Sequence, residues 1–325
     1  MNSLTTRFLV LAGCFFMHTG LYAQINFPIC GPQAQFYSKD SLRIITFGAS
    51  TVEGVPKPLN FQMPLQAYLG HCYGTKPVTI FNNGVAGETT AQGLLRIDAA
   101  LNNKADFFLI LMGANDAIRI TDNQLRLSAV VDNMRLLIAK AKAKNLSVII
   151  GTVQYFVETR GTTAERLLSR RRNRNIDLIN SAYRTIAKEN NIRIADINST
   201  LGKDISLYSD DVHPNARGYE VLALVWFDAI NQEIAQNFQS VGVVQNYPNP
   251  ANTYTKLGFT LTAAARVRIT LYNTAGQNMG VIFDDYRNAG YQEEQISTSQ
   301  YTAGIYILYY ELTGLKFSKK LIIVH

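Results

Sequence analysis

The segment at residues 42–47 reads Leu-Arg-Ile-Ile-Thr-Phe, and Gly48, Ala49 and Ser50 follow it directly. Its almost unbroken run of apolar residues is typical of a strand that is buried on both faces of a parallel sheet. Four more runs of this kind follow along the chain, at residues 78–82 (VTIFN), 107–112 (FFLILM), 148–153 (VIIGTV) and 192–197 (IRIADI). The sequence therefore predicts a five-stranded parallel sheet.

Helical patterns separate these runs. The stretch at residues 124–144 places its apolar residues on one helical face, and a last helix is predicted to open at Pro214. A proline is tolerated at a helix start because its missing N–H would be unpaired there anyway. Repeated alternation of strand and helix predicts a three-layer α/β/α, flavodoxin-like domain over residues 41–238.

The pattern changes near Val241. A turn-rich stretch (NYPNP) at residues 246–250 opens a series of short alternating runs at residues 256–261, 267–272, 305–310 and 319–324. Short strands separated by turn signals are typical of a small β-sandwich. We predict such a domain at residues 246–325, joined through a linker at residues 239–245.

The composition is that of a globular chain, with 325 residues, 47% hydrophobic residues and a net charge of +7. A nucleic-acid partner is not expected. The sequence has no stretch in which basic residues alternate with stacking aromatics, and it has no known nucleic-acid-binding motif. Much of the positive charge lies in one cluster, which we interpret as a solvated helix face or loop; attraction of an anionic substrate is the alternative. The cluster contains Arg166, Arg170, Arg171, Arg172 and Arg174.

The N-terminal 23 residues have the charged, apolar and small-residue order of a signal peptide, with cleavage expected after Ala23 and a lead-in at residues 24–40. A competing interpretation is a lipoprotein box that ends at Cys14. After cleavage at Ala23, only Cys30 and Cys72 remain. The sequence leaves open whether these two cysteines form a disulfide or are free and buried.

Reactive residues follow several of the predicted strands. Ser50 follows the first strand, Gly87 lies in the glycine-rich stretch after the second, and Asn115 follows the third. Asp210 and His213 come some distance after the fifth. Because ligands of open parallel sheets bind at the carboxyl ends of the strands, we expect these residues to meet at one edge of the sheet.

This set of residue types matches the requirements of acyl transfer. A serine hydroxyl needs a base to take its proton, and His213 is the one histidine just beyond a strand with a carboxylate three residues before it. Asp210 would orient that histidine, and the N–H groups of Ser50 and Gly87 with the Asn115 amide would stabilise an oxyanion. No cofactor or metal is expected: the cysteines have no metal-ligand spacing, and residues 48–54 lack the ending of a nucleotide-phosphate loop.

Four sequence blocks in the right order resemble those of the SGNH (GDSL-type) hydrolases. They are Phe47-Gly-Ala-Ser50, Asn83-Gly-Val-Ala-Gly87-Glu-Thr-Thr, Gly113-Ala-Asn115-Asp and Asp210-Asp-Val-His213-Pro-Asn. The resemblance implies a carboxylic-ester hydrolase with Ser50, His213 and Asp210 as catalytic residues and Ser50, Gly87 and Asn115 as the oxyanion hole. It implies acetylated carbohydrates, small acyl esters or lysophospholipid esters as substrates.

Two positions depart from the family pattern. Ala49 stands where the family name places an aspartate, which removes no reacting group. Asp211 stands where a glycine is more usual, so the acid could be Asp210 or Asp211, and the spacing favours Asp210.

The last eighty or so residues resemble the type A sorting domain of the type IX secretion system of Bacteroidetes. The resemblance rests on Asn246-Tyr-Pro-Asn-Pro-Ala, on the strand at residues 267–272, on Gly276, and on Ala303-Gly-Ile-Tyr306 with Lys319-Lys-Leu. It implies export through the periplasm, with the secretion machinery as partner and a secreted or surface-attached product.

Two further expectations concern the site. Gln154, Tyr155 and Phe156 follow the fourth strand and are candidate substrate-binding residues, with residues 156–174 as a mobile lid; packing against the final helix is the alternative. A catalytically silent carbohydrate-binding or adhesin module on the same scaffold is the alternative to an enzyme.

Overall fold

The computed structural model describes residues 27–325 and contains an α/β/α domain followed by a β-sandwich, which confirms the predicted fold classes. The predicted signal peptide and the competing lipoprotein box lie outside the described residues. Within residues 27–325, none of the helices combines the length and the apolar character needed to cross a membrane.

The central sheet has five parallel strands in the order β2-β1-β3-β4-β5, which is the order of flavodoxin-like folds. The strands are β1 (Leu42–Gly48), β2 (Val78–Gly84), β3 (Phe107–Leu111), β4 (Ser147–Gly151) and β5 (Arg193–Ala195). The order in which strands are added to the sheet reverses at β1, because β2 lies on one side of β1 and β3 lies on the other. Such a switch point leaves a crevice at the carboxyl ends of these strands.

Helices cover both faces of this sheet. They are α1 (Ser50–Glu53), α2 (Gln62–Cys72), α3 (Thr90–Ala100), α4 (Ala114–Thr121), α5 (Leu127–Ala143), α6 (Thr163–Asn190), α7 (Ile197–Leu201) and α8 (Ala216–Asn237). Alternate residues of β3 join two separate cores: Phe107 and Leu109 pack with α2 and α8, whereas Phe108 and Ile110 pack with α3, α5 and α6. The unbroken apolar runs in the sequence reflect this burial on both faces.

The final helix begins at Ala216 rather than at Pro214 as predicted. Asn215 caps it, since its side-chain oxygen accepts a hydrogen bond from the Gly218 N–H at 3.0 Å. Pro214 instead forms an antiparallel bridge with Tyr208. The residues between them therefore form a closed loop ahead of α8.

The C-terminal domain is a sandwich of a three-stranded sheet (β10-β7-β6) and a four-stranded sheet (β12-β11-β8-β9). Its strands are β6 (Gly242–Val243), β7 (Tyr254–Leu261), β8 (Ala265–Asn273), β9 (Asn278–Arg287), β10 (Gly290–Ser297), β11 (Gly304–Leu312) and β12 (Leu315–Ile323). The sequence patterns did not identify β9 or β10, and β6 lies within the predicted linker.

A disulfide joins Cys30 to Cys72, and so ties the segment before β1 to the end of α2. The cross-link closes a loop with a sequence separation of 42 residues. Closing a loop of this size lowers the entropy of the unfolded chain and is worth about 3–4 kcal/mol.

We predict that the double substitution Cys30→Ser, Cys72→Ser lowers the melting temperature of the α/β/α domain by roughly 6–16 °C. Circular dichroism melting of both proteins, with and without a thiol reductant, measures this effect. Reductant should lower the melting temperature of the unsubstituted protein alone. A change of less than about 2 °C in the double variant would contradict a structural role for this bond.

Candidate active site

Ser50 lies at the carboxyl edge of the sheet because it is the first residue of α1, directly after β1. Two glycines allow the backbone of this turn to approach its neighbours closely. A Cβ atom on Gly48 would lie 2.3 Å from the Leu111 carbonyl oxygen, and one on Gly84 would lie 2.0 Å from the Glu53 nitrogen. A larger residue at Gly48 would push β1 away from β3, and a larger residue at Gly84 would push β2 away from α1.

His213 reaches Ser50 from the loop between Tyr208 and Pro214. The Asp210 Oδ1 atom accepts hydrogen bonds from the N–H groups of Val212 at 2.9 Å and His213 at 2.8 Å, which folds this loop into a tight turn. The His213 Nε2 atom lies 2.8 Å from Ser50 Oγ, and its Nδ1 atom lies 2.7 Å from Asp210 Oδ2. The structure thus brings the three predicted residues into one hydrogen-bonded chain.

The Asp210 carboxylate determines the direction of the hydrogen bonds in this chain. A carboxylate only accepts, so Nδ1 of His213 carries the proton towards Asp210 and Nε2 accepts the Ser50 hydroxyl proton. Partial burial acts to raise the pKa of Asp210, but hydrogen bonds from the backbone of His213 and Val212 and from the His213 ring outweigh it. The pKa of Asp210 therefore lies below its usual value, and the carboxyl stays ionised.

Asp211 has a different environment from Asp210. Its backbone carbonyl accepts a hydrogen bond from the Val157 N–H at 2.7 Å, and the residue is exposed. The carboxylate that meets the His213 ring belongs to Asp210, the residue that the spacing favours.

The three predicted oxyanion donors follow β1, β2 and β3. Ser50 is the first residue of α1, where a backbone N–H has no acceptor within the helix. Gly87 has φ +81° and lies exposed in the turn after β2, and its N–H donates no hydrogen bond within residues 27–325. The Asn115 Nδ2 atom donates to the Glu88 carbonyl at 2.9 Å, which orients the amide and leaves its second hydrogen for another acceptor.

Arg96 on α3 braces the glycine-rich turn, and the sequence patterns did not single it out. Its guanidinium donates to Glu88 Oε2 at 2.6 Å and to the carbonyls of Asn83 and Gly48 at 2.9 Å each. It also lies 4.3 Å from the centre of the Phe47 ring. One side chain thereby fixes the end of β1 relative to the turn that carries Gly87.

Two carboxylates hold the same turn and the helix that follows it. Glu53 accepts a hydrogen bond from the Ala86 N–H at 2.6 Å, and this bond, with help from Lys57, holds the pKa of Glu53 below its usual value. Asp116 is fully buried and accepts from the Thr90 N–H at 3.0 Å and the Thr90 hydroxyl at 2.6 Å. Burial raises the pKa of Asp116 against the opposing effect of these bonds.

Two of the three predicted substrate-binding residues face the interior instead. Gln154 is 1% exposed and donates to Thr51 Oγ1 and to the Val212 carbonyl, while Phe156 is 2% exposed. Tyr155 is half-buried, and its hydroxyl donates to Asp177 Oδ1 at 2.5 Å. The structure therefore places Gln154 and Phe156 beneath the surface of the site, where Gln154 contacts the residues next to Ser50 and His213.

The stretch predicted as a lid contains the start of the long helix α6, which contacts the Phe156 backbone. Asn173 on α6 hydrogen bonds to both the N–H and the carbonyl of Phe156, at 2.8 Å each, and α6 begins at Thr163. Most of the arginine cluster lies on this helix as an exposed face, as interpreted from the sequence, with Arg172 turned towards the Phe156 ring. Within residues 27–325, no group of three or more His, Cys, Asp or Glu side chains is arranged to hold a metal ion.

Comparison with protein families gives two matches. The chain matches the GDSL-like lipase/acylhydrolase family over residues 46–221, which is more than half of its length, and the secretion system C-terminal sorting domain over residues 245–324. The second match marks the chain for export by the type IX secretion system to the cell surface or beyond it. No curated protein matches the chain.

Several solved structures share the fold of the α/β/α domain. A putative GDSL-like lipase from Parabacteroides merdae is 17% identical, with a TM-score of 0.52 over 59% of this chain and 96% of that one. A lipase/acylhydrolase from Enterococcus faecalis is 22% identical, with a TM-score of 0.51 over 59% and 96%. An acetylxylan esterase from Geobacillus stearothermophilus is 19% identical, with a TM-score of 0.50 over 60% and 96%. At these identities the likeness is one of fold.

We predict that Asp210→Asn lowers kcat on an ester substrate by roughly 10²–10⁴-fold, because the amide cannot stabilise a protonated His213. Asp211→Asn, the matched control one residue away, should keep kcat within about threefold, because its backbone contact to Val157 is retained. Steady-state kinetics of both variants test this assignment. An equal loss in the two variants, or a larger loss for Asp211→Asn, would contradict it.

Proposed function

This chain belongs to the GDSL-like lipase/acylhydrolase family, and we propose that it is an exported serine hydrolase that cleaves short-chain carboxylic esters through an acyl-enzyme. One observation carries the proposal: the hydrogen-bonded chain from Ser50 Oγ through His213 to the Asp210 carboxylate. A serine hydroxyl in such a chain is activated as a nucleophile, whereas an isolated one is not.

In the first step, Ser50 Oγ attacks the carbonyl carbon of the ester while His213 Nε2 takes the hydroxyl proton. The carbonyl oxygen becomes an oxyanion, which the N–H groups of Ser50 and Gly87 and the Asn115 amide stabilise. Each such donor is typically worth about 10²–10³ in rate. The open N–H groups of Ser50 and Gly87 and the oriented amide of Asn115 support these roles.

In the second step, the protonated His213 gives its proton to the leaving alkoxide, the ester C–O bond breaks, and the alcohol departs. The acyl group is then esterified to Ser50. A water molecule, activated by His213 in the same way, attacks this ester and releases the carboxylic acid. Asp210 stabilises the imidazolium in both halves, which its low pKa supports because an ionised carboxylate is required.

We favour short acyl groups, with acetyl esters of carbohydrates as the first class to test. The fold it shares with an acetylxylan esterase is consistent with this choice.

We predict that Ser50→Ala lowers kcat on p-nitrophenyl acetate by at least about 10³-fold, because it removes the hydroxyl that lies 2.8 Å from His213 Nε2. Ser128→Ala, which removes an exposed hydroxyl on α5, is the control and should keep full activity. Retention of more than about a tenth of the activity in Ser50→Ala would contradict the proposed nucleophile.

We also predict that kcat/KM is at least about tenfold higher for p-nitrophenyl acetate than for p-nitrophenyl octanoate, because acetyl esters are the proposed substrate class. Both substrates are assayed below their aggregation limits, with Ser50→Ala as the background. An equal or higher kcat/KM for octanoate would contradict the short-chain assignment, but it would not contradict the assignment of Ser50 as the nucleophile.

A further inference from the structure

The segment between β4 and α6 holds the loop of His213 at three points. The Gln154 Nε2 atom donates to the Val212 carbonyl at 3.3 Å, and the Val157 N–H donates to the Asp211 carbonyl at 2.7 Å. The Arg160 guanidinium donates to the carbonyls of Asp210 at 2.5 Å and Tyr208 at 2.9 Å. These contacts fix the backbone on both sides of Asp210.

Gln154 differs from the other two because it also reaches the nucleophile. The same Nε2 atom donates to Thr51 Oγ1 at 2.7 Å, so one amide group bridges the residue after Ser50 and the residue before His213. Both of its hydrogens are used in this bridge. The side chain is 1% exposed, and hydrogen bonds in such a dry environment are stronger than in water.

Side-chain hydrogen bonds hold the backbone on both sides of Gln154 in place. Asn180 hydrogen bonds to the N–H of Val153 at 2.7 Å and to its carbonyl at 2.9 Å. Asn173 binds the N–H and the carbonyl of Phe156 in the same way. Two amides from the long helix α6 therefore hold the chain on either side of Gln154, and give the bridge a rigid base.

We propose that Gln154 is a positioning residue that sets the distance between Ser50 Oγ and His213 Nε2. The need for such a bridge follows from the elements that carry the pair. Ser50 lies on a four-residue helix, and the side chain of Asp210 in the loop of His213 is 53% exposed. Proton transfer requires a heavy-atom distance of about 2.6–3.2 Å, and a misplacement of 1 Å can cost about 10²-fold in rate.

The inference rests on the proposed function above, and Gln154→Met tests it. Methionine has nearly the shape of glutamine but donates no hydrogen bond, so it removes the bridge and keeps the packing. We expect kcat on p-nitrophenyl acetate to fall about 10–100-fold while KM stays within about threefold, because Gln154 does not contact the substrate.

A double-mutant cycle with Thr51→Val separates positioning from a general loss of stability. Thr51→Val removes the hydroxyl that accepts from Gln154, and alone it should lower kcat by about 3–10-fold. In the Gln154→Met background the same substitution should have no further effect, because the bond is already absent. If the two effects multiply instead, the residues act independently and the proposal is overturned.

Gln62 offers a matched control. It is also a buried glutamine, and its Nε2 atom donates to the Thr46 hydroxyl at 3.1 Å and the Val52 carbonyl at 2.7 Å. These bonds join β1 to α1 and do not reach the loop of His213. Gln62→Met should lower the melting temperature about as much as Gln154→Met does, with kcat within about threefold of the unsubstituted protein.

The outcomes are distinguishable from a failure of the proposed function. If the unsubstituted protein cleaves no ester, the function is wrong. If it is active and Gln154→Met keeps kcat within about twofold, or Gln62→Met loses as much kcat as Gln154→Met, then Gln154 has no specific positioning role. The proposal is supported if Gln154→Met lowers kcat selectively and if Thr51→Val lowers it no further in the Gln154→Met background.

Discussion

The hydrogen bond between Ser50 Oγ and His213 Nε2, 2.8 Å long, joins two residues that lie 163 positions apart in the chain. Neither residue's own element can maintain this contact, because α1 has four residues and the other partner lies in a loop. The contact depends on the parallel sheet, whose strands all deliver their carboxyl ends to one edge. It depends equally on the close backbone approach at Gly48 and Gly84, which brings the ends of β1, β2 and β3 against α1.

Side chains that take no part in the proposed reaction hold the loops at this edge of the sheet in place. Arg96 ties the end of β1 to the glycine-rich turn, and Glu53 holds that turn through the Ala86 N–H. Gln154 performs the same task between the turn of Ser50 and the loop of His213. Catalysis of acyl transfer gains most from donors and bases that are in place before the substrate arrives. The hydrogen bonds of Arg96, Glu53 and Gln154 are thus as relevant to the proposed chemistry as the residues that react.

The five parallel strands were predictable because burial on both faces leaves unbroken apolar runs such as that at residues 107–112. The sandwich strands β9 and β10 were missed because each is an edge strand with many polar, exposed residues, so neither shows clear alternation. Ser50, Asp210 and His213 were found because their residue types and positions after strands limit the chemistry; their roles stay predictions. Gln154 and Arg96 act through contacts with backbone far away in sequence, and no local pattern reports such contacts.

The central claim is that Ser50 is an activated nucleophile and that His213 activates it. The most direct measurement is labelling of the folded protein with a fluorophosphonate, followed by peptide mass spectrometry to locate the adduct. The account predicts one adduct, on Ser50, which His213→Ala reduces at least about 10²-fold and which unfolding in urea abolishes. An adduct on another residue, or labelling of Ser50 at the same rate in His213→Ala, would contradict the account.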